Sequence, residues 1–223
     1  MSAIDGQRIT RALASFPYYG QWRVDAVLEG GALPSGLVTV DIAGLVAVGT
    51  IERAGYDAPD LPHVVVIGGL GWSSEVTASA ARALTFHADS GVRLRSVLAA
   101  LARAAGESIA QPTDRAIGSH WGAVSSAPGE RVRYRDELTE MVRAGDVAGW
   151  YVDTLGTTRF TARATPEVTT RATLLRANAS VGLRVFGVDE PAYFMPGARV
   201  EGVSIGRAVV LESPGSLTVE CWS

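Results

Sequence analysis

Apolar residues in this chain recur mostly at every second position, in short runs bounded by glycine or proline. Residues 23–28 alternate, Gly30-Gly31 turns, and 37–42 sets Val38, Val40 and Ile42 against Thr39 and Asp41. A two-residue period puts one set of side chains on a buried face and the other toward solvent, so each run predicts a half-buried strand. Ala43-Gly44 predicts a turn into a β-branched run over 45–53, and 63–67 predicts another strand before Gly68-Gly69. Short strands at this spacing predict a small antiparallel barrel or sandwich. From Ala179 the pattern returns, with strands over 181–188, a corner over 191–196, a pair over 198–205 and 207–212, and a Pro214-Gly215 turn into 217–222. Residues 1–20 are mixed and end in Phe16-Pro17-Tyr18-Tyr19-Gly20, which reads as a loop with aromatic anchors.

Between these β stretches the period changes. Leu94, Val97, Leu98, Leu101 and Ala105 fall on one helical face, Asp89-Ser90 offers an N-cap, and Gly106 supplies a left-handed stop, so a helix is predicted over about 90–105. Leu138, Met141 and Val142 form a second stripe, predicting a helix over about 136–145 closed by Gly145. A hairpin follows at once, from Gly-Trp-Tyr-Val-Asp (149–153) to Thr-Thr-Arg-Phe (157–160). Neither helix carries Glu or Gln at the third position after its cap, so no full capping box is expected. Arg131, Arg133 and Arg135 alternate as on a strand, and the polar segment 107–130, broken by Pro112, Gly118, Gly122, Pro128 and Gly129, reads as loop or weak strand. The predicted fold class is α+β, mainly β: small antiparallel barrel-like units with two short helices. Its parts are an N-terminal β-barrel-like domain over 1–88, a helix and helix-hairpin insertion over 89–165, and C-terminal strands over 166–223 completing a second barrel-like unit.

Composition narrows the function. Apolar residues make up 47% of the 223 and aromatics only 7%, so burial rests on Val, Leu, Ile and Ala, with five Trp as isolated anchors. All twenty basic residues are Arg and the net charge is −3, without the cationic excess that sequence-independent nucleic-acid binding requires. The single Cys221 forms no internal bridge, and no CxxC pair offers zinc or redox chemistry. The first residues lack the apolar stretch of a secretory signal, and the longest charge-free apolar tract, 42–51, falls well short of the ~20 residues a membrane span needs. A protein made in a reducing cytoplasm, with no membrane segment, is expected.

Candidate chemistry is thin. Gly202-Val203-Ser204-Ile205-Gly206 matches the nucleophile-elbow string, which calls for a later histidine, yet His63, His87 and His120 all precede it. Those histidines, with Asp57, Asp60 or Asp89, are nominal metal ligands without close spacing, and packed or hydrogen-bonded roles suit them better. Gly68-Gly69-Leu70-Gly71 lacks the Gly-Lys-Ser/Thr ending of a phosphate loop. Asp57/Asp60 and Asp189/Glu190 are nominal carboxylate pairs that read as turns. Trp22, Trp72, Trp121 and Trp150 would serve a carbohydrate platform only if exposed together, and Trp150 is expected to cover the preceding helix. No catalytic, cofactor-binding or metal residue is assigned, no cofactor is expected, and the chain is read as not an enzyme.

The order of parts resembles phage tail and baseplate hub proteins of the late-control type found in contractile tails, related to the hub portion of type VI secretion spikes. Val-Thr-Val-Asp-Ile-Ala-Gly and Val-Gly-Thr-Ile-Glu-Arg within 37–53 resemble the first hub barrel. Residues 89–106 are similar to the helix that follows it, 135–160 to the helix and Gly-Trp hairpin, and Met195-Pro196-Gly197 with the closing strands to the last sheet. The resemblance implies a virion structural protein at the tail baseplate, made in the host cytoplasm. It implies a homotrimer whose partners are the tail tube protein and spike or baseplate proteins, with DNA passing through the lumen without specific binding. A small cell-wall or carbohydrate hydrolase, or a carbohydrate-binding module of a tail tip, is the alternative.

Overall fold

A computed structural model describes residues 2–58, 60–76, 84–122, 132–164, 166–168 and 172–223. Six strands come first: β1 (Ala3–Ile4), β2 (Gln7–Pro17), β3 (Arg23–Leu28), β4 (Leu37–Ile42), β5 (Leu45–Ala58) and β6 (Leu61–Ile67). Then follow β7 (Phe86–His87), α1 (Leu94–Ala105), β8 (His120–Trp121), α2 (Tyr134–Ala144), β9 (Tyr151–Val152) and β10 (Thr158–Arg159). The chain ends with β11 (Ala172–Asn178), β12 (Leu183–Val188), β13 (Arg199–Val200), β14 (Val203–Ser204), β15 (Arg207–Ser213) and β16 (Ser216–Trp222). The predicted class, α+β and mainly β with two short helices, is the one observed.

Residues 1–68, 154–156 and 163–223 form one compact unit. Its sheet runs β1-β4-β5-β6-β3-β2-β15-β16-β12-β11, and β1 also pairs with β2. That extra pairing closes the first six strands into an antiparallel barrel. Two-residue turns set its register: Asp5-Gly6 between Ile4 and Gln7, and Ala43-Gly44 between Ile42 and Leu45, all four residues at positive φ. This mirror-image turn matches the twist of the strands it joins, which is why glycine ends each pair. Val24, Ala26 and Leu28, with Val38, Val40, Ile42, Val64 and Val66, are the buried alternates of their strands. Trp22, 1% exposed, lies beside Phe16 with ring centroids 5.9 Å apart. A Cβ on Gly49 would come within 2.5 Å of the Trp22 ring, so β5 passes there only as bare backbone.

The loop expected over the first twenty residues is instead β2, the eleven-residue strand on which the unit turns. One edge of β2 is shared: Gln7 and Arg8 pair with β1, and residues 12–17 pair with β15. The C-terminal strands thus continue the barrel's sheet outward from β2. Their buried face, with Phe186, Val188, Val210, Val219 and Cys221, includes a 5.4 Å contact of Phe186 with Phe194 of the turn Pro191–Phe194. The strand expected over 181–188 begins only at Leu183, and 198–205 is a short β13–β14 hairpin of its own.

Residues 69–153 and 157–162 form the other unit. α1 and α2 pack together, and Leu94, Val97, Leu98, Leu101, Leu138, Met141 and Val142 of the predicted stripes are buried, with Ala102 buried where Ala105 was expected. Gly106 is the left-handed stop of α1. The start of α1 differs from expectation, with Arg93 in place of Asp89-Ser90. Arg93 offers no side-chain cap, and Asp114 takes that role from a distance, accepting from the Arg95 N–H at 3.2 Å and from the Arg93 guanidinium at 3.0 Å. Asp136 accepts from the Arg133 N–H at 3.2 Å at the head of α2, one half of a capping box, and Arg133 has no side-chain acceptor to supply the other half. Arg133 and Arg135, expected on a strand, lie at this helix start, and Arg131 lies outside the described residues. The Gly-Trp hairpin is present as β9 and β10, with Thr158 opposite Val152.

Candidate functional site

No helix among the described residues is long and apolar enough to cross a membrane. The nominal catalytic features fold into structural roles. Ser204 lies on β14, two residues past a Glu201-Gly202 turn with both φ values positive, and is followed by β15 where a nucleophile elbow needs a helix. Gly71 approaches so closely that a Cβ would meet the Ala105 carbonyl, and its N–H donates to Glu107 Oε1 at 2.5 Å. Burial pushes the Glu107 carboxyl above the ordinary carboxylate range, and the bond from Gly71 partly offsets that. The glycine run therefore ends in the turn Leu70–Ser73 with an acid against it, a poor setting for phosphate. Asp60 sits at φ 63°, and Asp189 and Glu190 precede the turn at Pro191, in keeping with turn geometry.

His63 takes the hydrogen-bonded position expected of the histidines, whereas His87 and His120 are exposed. His63 on β6 stands between two acids: Nε2 is 2.6 Å from Asp25 on β3, and Nδ1 is 3.0 Å from Asp57 on β5. Through its two ring nitrogens His63 ties together three neighbouring strands. Asp57 was among the acids named beside the histidines, and Asp25, 38 residues away, was not. His87 faces His120 across β7 and β8, with ring centroids 6.3 Å apart and Asp89 3.4 Å from His87. No group of three metal-ligating side chains converges among the described residues.

Trp22, Trp72 and Trp150 are buried, so they offer no exposed platform for sugars. Trp72 Nε1 donates to Thr158 Oγ1 at 2.8 Å, and Trp150 Nε1 to Thr139 Oγ1 of α2 at 3.1 Å, the helix it was expected to cover. Cys221 is buried among apolar neighbours, which pushes its thiol up to about 12.

What the chain does present is strand edge and apolar surface. β11 is bonded to β12 alone, and residues 172–177 are exposed on both faces, with Leu174 47% and Leu175 58% accessible. A cleft of about 970 Å³ lies beside it, lined by Leu175, Gly187, Asp189, Glu212, Leu217 and Thr218 among others. The β5–β6 hairpin exposes Tyr56 and Leu61. Such features suit a protein that joins others through its sheets. β11 escaped the sequence reading because a strand covered on neither face has no alternation to detect.

No protein-family model matches the chain, and no curated protein matches it in sequence. Among solved structures it is similar to the E. coli c3393 protein, described as a component of the type VI secretion system with structural similarity to T4 bacteriophage tail proteins gp27 and gp5. The match covers 100% of this chain and 74% of that one, at a TM-score of 0.58 and 11% identity. The likeness is one of fold, and it spans both compact units.

Proposed function

We propose that this chain is a non-enzymatic structural subunit of a phage tail baseplate hub, forming a homotrimeric ring that connects the tail tube to the central spike. The observation that carries this reading is the full-length likeness to a secretion-system component itself likened to tail proteins. The barrel and the open C-terminal sheet are in keeping with it. The partners are the tail tube protein and spike or baseplate proteins, and the location is the baseplate of a contractile tail.

Native mass spectrometry with negative-stain imaging tests the reading. The expected result is a species of three times the 23.4 kDa chain mass, seen as rings that co-sediment with tube protein. A monomer at high concentration that cleaves a cell-wall polymer would end the proposal in favour of a tail-tip hydrolase.

A further inference from the structure

Closing the barrel removes most strand edges in the first unit, but two long ones remain among the described residues. β11 bonds to β12 on one side, and no described backbone group bonds to the other. β5 is longer than either neighbour: 45–50 pairs with β4 and 50–58 with β6. On its β4 side the last bond is the Ile51 N–H to the Gly36 carbonyl at 2.9 Å, after which 52–58 has no described backbone partner. These are the two longest unpaired edges among the described residues, and each spans seven residues. Backbone donors and acceptors along an edge are met either by water or by another strand.

The two edges differ in side chains in a complementary way. β11 offers Leu174, Leu175 and Arg176, and no described carboxylate lies within ion-pair range of Arg176. The outer half of β5 offers Tyr56, 54% exposed with its hydroxyl 3.5 Å from the Gly31 carbonyl, and two acids, Glu52 and Asp57, against one exposed cation, Arg53. One oxygen of each acid is bonded within the chain, Glu52 Oε2 to Arg23 and Asp57 Oδ1 to His63, and the second oxygen of each has no described partner. The cleft beside β11 has room for an aromatic ring entering from a neighbour.

We infer that β11 of one copy adds to the outer half of β5 in the next copy, so that the sheet continues across the subunit boundary. Because the two edges differ, the contact is head-to-tail, the kind that closes as a ring; β11 against β11 would be two-fold and would stop at a dimer. The inference rests on the ring proposed above and assigns its strands. β11 is exposed on both faces, so changes there leave the fold of each subunit intact.

Mixing two variants that each carry one added cysteine under mild oxidation provides the test. One carries Leu174→Cys, and the other carries Glu52→Cys, Ala54→Cys or Tyr56→Cys in turn, while the buried Cys221 stays in both. The expected result is a disulfide between unlike variants at one register of β5, with no β11-to-β11 product. Arg176→Glu is expected to raise the subunit dissociation constant by about tenfold or more, with unchanged circular dichroism. A trimer that yields no unlike cross-link, or that cross-links β11 to β11, overturns the strand assignment and leaves the ring standing. A native chain that stays monomeric overturns both.

Discussion

The barrel and the C-terminal sheet are built from similar Val-, Ile- and Ala-rich strands, share β2, and end in opposite ways. Where β2 meets β1, a two-residue strand turns the sheet back on itself and the edge disappears. Where it meets β15, the sheet runs outward through β16 and β12 to β11, and the edge is carried to the surface. Strand chemistry alone does not decide between closure and extension. A short strand returning at a tight Asp-Gly turn closes one end, and no equivalent returns at the other.

That difference can be broken at several points. The largest effect is expected at Trp22→Ala, which empties the volume between Phe16 and the bare backbone of Gly49. Urea unfolding should report a loss of about 3–5 kcal/mol, and a loss under 1 kcal/mol would mean that the barrel is not packed as described. His63→Ala should cost about 1–2 kcal/mol, since it removes the side chain that bridges Asp25 on β3 and Asp57 on β5. If His63→Ala proves neutral in denaturant titrations, the three-strand clamp contributes nothing.

The open sheet should respond more weakly. Burial raises the Cys221 thiol to about 12, well above the ordinary thiol range. The folded chain therefore holds this proton more tightly than the unfolded one. The resulting stability is complete below about 9 and is lost as pH climbs toward 12. Cys221→Ala should flatten that part of the alkaline stability profile relative to the native chain; identical profiles would show the thiol to be accessible. Smallest of all, Leu174→Ser should change subunit stability by less than about 0.5 kcal/mol. A larger loss in the isolated subunit would mean that β11 is packed on one of its faces.

Much of the fold was legible because period and turn chemistry are local. The alternating run of β4, the Ala43-Gly44 turn, the stripe of α1 with its Gly106 stop and the Gly-Trp hairpin all lie where their residues place them. β2 was not legible for two local reasons. A register shift between Ile9 and Arg11 breaks the two-residue period, and its inward positions Ala12 and Ala14 are small residues that do not announce a strand. β11 was lost because nothing covers it. The pairing of β2 with β15 joins residues about 190 positions apart, and alternation says which face is buried but not which strand lies alongside. The site reading ran the same way. Turn glycines and acids were recognised as such, whereas the Asp25 side of the His63 clamp and the two open edges exist only once distant strands have met.

A strand common to two sheets is also a mechanical link. Tension drawn along β2 strains the rungs from Arg207 against Pro17 to Glu212 against Ala12 all together, in shear, whereas a pull across it would open them singly like a zip.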